Sequence, residues 1–289
     1  MQYEENPYPR WINFPTRNKK NFSDSLEWIF SHFTPPLFFR ERVECLVAGC
    51  GTGKDPISLA MEFDNINISA VDLSKSSLAY VIRMARKLGA DNIHFRQDDI
   101  LNLSRISQKF HFISCSGVLH HLEQPVEGWK ILTDLLLPAG VMRIGLYSER
   151  SRRHIVNTRD RIQRAGLEPT KGDIRKFRKE IFGSAPGTME YSLLEAPNFY
   201  SLSNIRDLLF HVQEHRFTIL RIREILEDLN LTFLGFIFLD EETGWIYKQK
   251  FPEDSNLTDL TLWDKFEEEY PNTFNGIYEF WCQKPEARQ

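Results

Sequence analysis

"LVAGCGTGKDP", residues 46–56, sets glycines at 49, 51 and 53 behind a short apolar run and ahead of a lysine, an aspartate and a proline. The run "VECLVAG" (43–49) reads as a buried strand. "DPISLAMEF" (55–63) reads as a helix with Asp55 at its N-cap and Pro56 in its first turn, where a missing N–H does no harm. A glycine-rich strand-to-helix turn brings bare backbone close to a ligand. The identity of that ligand decides what the rest of the chain is for.

Outward from this turn, strands and helices alternate. "INISAVD" (66–72) is predicted as a strand, and "SKSSLAYVIRMARKLG" (74–89) as a helix capped by Ser74 and stopped near Gly89. "NIHFRQDD" (92–99) and "FHFISCSG" (110–117) are further strands. "PVEGWKILTDLLLP" (125–138) is a helix and "GVMRIGLYS" (140–148) a fifth strand. Buried strands alternating with helices predict an α/β fold, a doubly wound, mostly parallel Rossmann-like sheet with helices on both faces. The rhythm breaks over residues 149–217, which are basic, polar and helical in pieces. It resumes with a helix capped by Thr218 and a strand at 231–239. Residues 149–217 therefore read as an insertion after the fifth strand, placed to cover a ligand or receive a substrate. The tail holds one further helix, "LWDKFEEEYP" (262–271), and the aromatic stretch "FNGIYEFWCQK" (274–284).

At the N-terminus, residues 1–22 carry three prolines and the apolar Tyr3, Tyr8, Trp11 and Phe14. An irregular arm packed on the body is expected. A helix follows in "SDSLEWIFSHF" (23–33), capped by Ser23 or Asp24, with Leu26, Ile29, Phe30 and Phe33 on one face. The organisation is an arm and helix over residues 1–35, then one domain over 36–289 that contains the insertion.

Composition bounds the function. A net charge of −4 gives no basic footprint for nucleic acid. Four isolated cysteines, none in a CxxC pair, suggest neither a zinc site nor a disulfide framework, and fit the reducing cytoplasm. The polar first residues are no signal peptide, and no apolar run is long enough to span a bilayer, so no membrane partner is expected.

Three ligands compete for the glycine turn. A triphosphate loop needs G-x-x-x-x-G-K-[ST]; here Ala48 stands at the first glycine and Asp55 where a magnesium-binding hydroxyl belongs. A dinucleotide fingerprint puts its third glycine at Lys54, and the acid at 55 repels a pyrophosphate that wants free amides. The third pattern, G-x-G-x-G, belongs to S-adenosylmethionine-binding folds. That ligand lacks phosphate and lies its methionine end and ribose along the loop. The later strand ends favour it. Asp72 closes the second strand, where its carboxylate can accept both ribose hydroxyls. Asp98 and Asp99 close the third, where one acid can accept an adenine amino group while Ile100 packs on the ring. Ligands of open α/β sheets bind at this strand edge.

On "LVAGCGTG", "AVDLS", "FRQDDI", "FISCSGVLHHLEQP" and "LLLPAGVMRIGLY", the chain resembles the class I S-adenosylmethionine-dependent methyltransferases over residues 40–148, and more loosely over 217–239. The resemblance implies cofactor contacts at Gly49, Gly51, Gly53, Asp72, Leu73, Asp99 and Ile100, with Ser116 lining the same pocket and S-adenosylhomocysteine as product. Two positions depart from the family pattern: Val47 replaces an acid two residues before the first glycine, and His111 replaces an aspartate of the fourth strand. "YEENPYPRW" and "DLLFHVQEHRFT" also resemble a bacterial subfamily whose methyltransferase domain can be joined to tetratricopeptide repeats.

Methyl transfer needs an acceptor held in line and, for a hydroxyl or ammonium acceptor, a base. "VLHHLEQP" offers His120 and His121 beside the fourth strand. "HVQEH" (211–215) is an H-x-x-E-H pattern; on a helix, Asp207, His211, Glu214 and His215 would share one face. The candidate catalytic residues are therefore His211, Glu214, His215 and His120, and the expected acceptor is a small molecule or a protein. Two other readings stay open: a cofactor-binding scaffold without turnover, and a zinc hydrolase built on "HVQEH" that would need a third ligand such as Glu224 or Glu227. No amide-methylating "NPPY"-type sequence follows the fourth strand.

Overall fold

The computed structural model describes residues 19–185, 191, 193–194, 202–210, 214–238 and 240–287. The aromatic residues expected to anchor the N-terminal arm lie outside these, as does His211.

A seven-stranded sheet runs through the molecule in the order β3-β2-β1-β4-β5-β7-β6. Its strands are β1 (Val43–Ala48), β2 (Ile66–Asp72), β3 (Ile93–Gln97), β4 (Phe110–Ser116), β5 (Leu136–Tyr147), β6 (Thr232–Phe236) and β7 (Ile277–Gln283). The first five pair in parallel. β7 enters antiparallel between β5 and β6. The expected Rossmann-like class I architecture is present, with one strand that sequence patterning did not give. "FNGIYEFWCQK" reads only as aromatic because β7 is buried from both faces at Phe280, Trp281 and Cys282, which erases period-two alternation.

Helices cover both faces. On one lie α1 (Phe22–Ile29), α2 (Lys54–Glu62) and α3 (Lys75–Leu88), packed through Phe22, Leu26, Ile57, Leu78 and Val81 onto Val47, Phe112, Val141 and Trp281. On the other lie α4 (Pro125–Leu135), α8 (Ile219–Asp228) and α10 (Leu260–Glu269), whose Trp129, Leu132, Ile222, Trp263 and Phe266 meet Ile113, Met142, Ile144 and Phe280. The insertion contributes α5 (Arg153–Arg164), α6 (Lys171–Phe182) and α7 (Leu202–Leu209). These form a small core of their own around Ile155, Ile174, Phe177 and Ile205. A further helix, α9 (Glu241–Lys250), precedes α10 and was not foreseen. No helix among the described residues is long and apolar enough to cross a membrane.

Local starts and stops differ from expectation in instructive ways. α1 begins at Phe22 because the Asn21 side chain accepts the Ser23 N–H, not because Ser23 or Asp24 caps it. α2 is preceded by Gly53 in the left-handed region with no side-chain cap, so Asp55 sits inside the first turn. Ser74 and Thr218 do cap α3 and α8, and Gly89 ends α3 in the left-handed conformation.

Candidate functional site

The glycine turn joins β1 to α2 at the carboxyl edge of the sheet. Gly49, Gly51 and Gly53 take φ of +76°, +52° and +90°, a region that favours glycine. The N–H groups of Gly49 and Cys50 both donate to the Val71 carbonyl, at 2.8 and 2.9 Å, which straps the turn to the end of β2. Packing within the protein gives its own reason for bare backbone at two of these positions. A Cβ on Gly49 would lie 2.5 Å from Val118, and one on Gly53 would overlap Val81. At these two positions the protein's own packing already forbids a side chain.

Asp72 is half-buried at the tip of β2. Its Oδ2 accepts the Gly51 N–H at 2.7 Å and its Oδ1 accepts the Ser74 N–H at 2.8 Å. These two backbone bonds fix the orientation of the carboxylate at the ligand edge. Leu73 beside it is 49% exposed. At the tip of β3, Asp98 pairs with Arg96 and accepts the Asp99 N–H at 2.9 Å. Asp99 accepts the Leu101 N–H at 2.9 Å and starts a 3-10 turn over Ile100–Arg105. Ile100 is only 6% exposed and belongs to the core, whereas Leu101 is 38% exposed. The accessible apolar side chains at this edge are thus Leu73 and Leu101. An oriented carboxylate, an exposed apolar pair and glycine backbone suit an adenosyl group.

The two departures from the family pattern separate. His111 lies at the start of β4, away from the ligand edge; its Nδ1 accepts the Glu44 N–H at 3.0 Å, and burial lowers its pKa. It is a structural histidine. Val47 is buried on β1 beside Ser114 of β4. Asp55, turned inward from α2, accepts the Ser114 hydroxyl at 2.7 Å and pairs with Arg143 of β5. Arg143 Nη2 also donates to Ser114 Oγ at 2.9 Å. Ser116, at the end of β4, donates to Glu279 of β7. The acids and the arginine of this cluster come from three separate elements, so no contiguous motif announces them.

A second cluster stands where β4 and β5 meet the insertion. The buried His120 ring stacks on Tyr147, centroids 3.6 Å apart, and meets His121 edge-on at 4.4 Å. The Arg152 guanidinium carbon is also 3.6 Å from the Tyr147 centroid. Two groups cannot share one face at that distance, so the tyrosine ring is sandwiched. Arg152 in turn donates to Glu214 through Nε at 3.2 Å and Nη2 at 3.0 Å, and Arg159 reaches the same carboxylate at 2.7 Å. The Glu214 side chain is 2% exposed. The His215 N–H donates to the His120 carbonyl at 2.8 Å.

Three expected catalytic residues, His120, Glu214 and His215, are therefore brought together, but not in the manner anticipated. α7 ends at Leu209, and residues 214–216 are irregular. Glu214 and His215 lie outside a helix, where Glu214 pairs with Arg152 and Arg159 and the His215 N–H bonds the backbone of His120. His211 lies outside the described residues. Among the described residues no group of three or more His, Cys, Asp or Glu could hold a metal ion. Tyr147, Arg152 and Glu279 were missed by sequence reasoning; only the position of Tyr147 at a strand's carboxyl end could have pointed to it.

Comparison with known proteins bears on the family and the fold. Residues 41–179 match the family described as "Methyltransferase domain". An uncharacterised protein of Synechococcus sp. is 32% identical over 238 residues, covering 78% of this chain and 56% of the relative. An uncharacterised protein of Rickettsia prowazekii is 30% identical over 117 residues, 40% of this chain and 20% of that protein. In fold, PKMT2 from Rickettsia typhi in complex with AdoHcy superimposes with a TM-score of 0.66 at 17% identity, covering 93% of this chain and 54% of PKMT2. The chain thus spans about half the length of the Synechococcus relative and of PKMT2.

Proposed function

We propose that this chain, whose residues 41–179 match a methyltransferase-domain family, is a class I S-adenosylmethionine-dependent methyltransferase that transfers a methyl group to a small-molecule or protein acceptor. The observation that supports this most is the Asp72 carboxylate, oriented by the Gly51 and Ser74 amides at the sheet's ligand edge. When bound, the cofactor supplies a methyl activated on sulfonium. The chain's residues bind and orient: Gly49, Gly51 and Gly53 shape the loop, Asp72 takes the ribose, Asp99 the adenine amino group, Leu73, Leu101 and the edge of Ile100 the ring, and Ser116 the floor.

Acceptor handling falls to the second cluster. Glu214, held between two guanidiniums, in this reading fixes Arg152 against Tyr147. His215 is half-buried beside His120 and is the better placed base, with His120 positioning it. His211 remains a candidate of the same segment. The insertion at 149–217 covers this cluster as a lid and substrate region of the 36–289 domain, and α1 packs on the opposite part of the sheet.

The insertion's charge bears on acceptor class. Residues 150–182 hold eleven Arg and Lys against four Asp and Glu in a chain of net charge −4. Arg153, Arg164, Lys171, Arg175, Lys176 and Lys179 are exposed. A basic lid on an acidic body favours an acceptor that carries negative charge near the methylated atom. The test is transfer of radiolabelled methyl into extract fractionated by size into protein, nucleic acid and small molecules. Label in the protein or small-molecule fraction, reduced by added salt, is the expected result. Cofactor binding with no label in any fraction would leave a scaffold without turnover.

A further inference from the structure

We infer that Glu279, from the last strand and outside the matched methyltransferase segment, supplies the counter-charge for the ammonium of the cofactor's methionine end. The inference rests on the reading above and adds a positioning residue to it.

The sheet register places the group. Ser116 of β4 pairs with Gly145 of β5, and Gly145 pairs with Glu279 of β7. The three form one row across the sheet, one strand-repeat nearer the ligand edge than the row Val47, Ser114, Arg143 and Trp281. The central member has no side chain, and that absence is used. A Cβ on Gly145 would overlap Ser116 Oγ and lie 2.6 Å from Glu279 Oε1. The Glu279 carboxylate reaches across the bare Gly145 to the hydroxyl of Ser116, which the cofactor reading already places in the pocket.

Charge accounting in the two rows points the same way. At the β1 position where this fold commonly offers an acid, the chain has the buried Val47. Asp55 does not replace it, because its carboxylate is taken by Arg143 and Ser114. Glu279 forms no ion pair among the described residues; its side-chain partner is a neutral hydroxyl. It is half-buried, so its charge costs desolvation that only a cation or several donors would offset. Burial does raise its pKa, against the lowering pull of Arg143 and of the Ser116 hydroxyl. A primary ammonium brings both a charge and three N–H donors to such a group.

The test compares two ligands that differ only in the amino-acid end: S-adenosylhomocysteine, and 5′-methylthioadenosine, which lacks it. Calorimetry on wild type and Glu279→Gln is expected to show S-adenosylhomocysteine weakened by about tenfold to a hundredfold, the range of a charge-assisted hydrogen bond. 5′-Methylthioadenosine should stay within about twofold on the same scale. Glu279→Asp, which keeps the charge but retracts it, covers the case in which the Gln variant does not fold; it should give the same order of effects with a smaller loss. An unchanged affinity for S-adenosylhomocysteine, or an equal loss for both ligands, overturns the assignment. If wild type binds neither ligand, the cofactor reading itself has failed and this inference falls with it.

Discussion

Gly53 and Asp72 show how single residues set this site. Gly53 combines a φ of +90° with a neighbour, Val81, that fills the space of any side chain. Gly53→Ala should therefore cost about 1–3 kcal/mol through overpacking and backbone strain together. Gly172, in the first turn of α6, meets nothing closer than Thr170 Oγ1 at 3.8 Å. Gly172→Ala should be neutral or stabilising by up to about 1 kcal/mol. Thermal melts of the two variants check the contrast; equal melting points would mean that the turn is not constrained as described. Asp72 acts on ligand and loop at once. Asp72→Ala should weaken S-adenosylhomocysteine by about a hundredfold or more, because it removes charge-assisted bonds and also frees the Gly51 amide. Calorimetry reads this directly, and an unaltered dissociation constant would place the ribose elsewhere.

Among the elements, the insertion is the one whose attachment matters most. Its opening and closing segments are fastened to each other by the Arg152, Glu214 and Arg159 cluster, buried at the carboxyl end of β5. Removing one partner of a buried pair strands the other, at about 3–5 kcal/mol. Glu214→Gln should lower the melting temperature and speed proteolysis within 149–217, while S-adenosylhomocysteine affinity changes by less than about threefold. A variant that melts and digests like wild type would show that the clamp holds nothing. The same region marks the limit of what sequence could tell. The strand ends carrying the glycine turn and Asp72 were legible because each closes a run of buried apolar residues, whereas Asp99 stood out only as one of two acids after the more polar β3. "HVQEH" misled because helical spacing says nothing of distant arginines that draw Glu214 out of a helix. β7 was hidden by burial on both faces, and with it Glu279.

At the scale of the whole molecule, β7 and α10 share a buried network with the stem of the insertion. Glu267 of α10 accepts from Tyr278 of β7 at 2.7 Å and from Ser148 after β5 at 2.8 Å, and Arg150 reaches it at 3.2 Å. Burial raises its pKa despite these donors. For an acid whose folded value is raised, the stabilising contribution is complete below the ordinary carboxyl value and fades as pH climbs through the folded value. The melting temperature of wild type should therefore exceed that of Glu267→Gln by more near pH 5 than near pH 8. A difference that grows with pH would contradict the sign. The large aromatic core around Trp263, Phe266 and Phe280 lies under this network, so the pH effect should be read as a shift in global stability.

The claim on which the rest depends is that the β1–β2 edge, with its bare loop and oriented carboxylate, holds an adenosyl group. Isothermal titration of the purified chain with S-adenosylhomocysteine tests it most directly. Saturable one-to-one binding that is lost in Asp72→Ala is the expected result. No heat of binding at about millimolar ligand, where even a 1 mM complex would correspond to only about −4 kcal/mol, would contradict it.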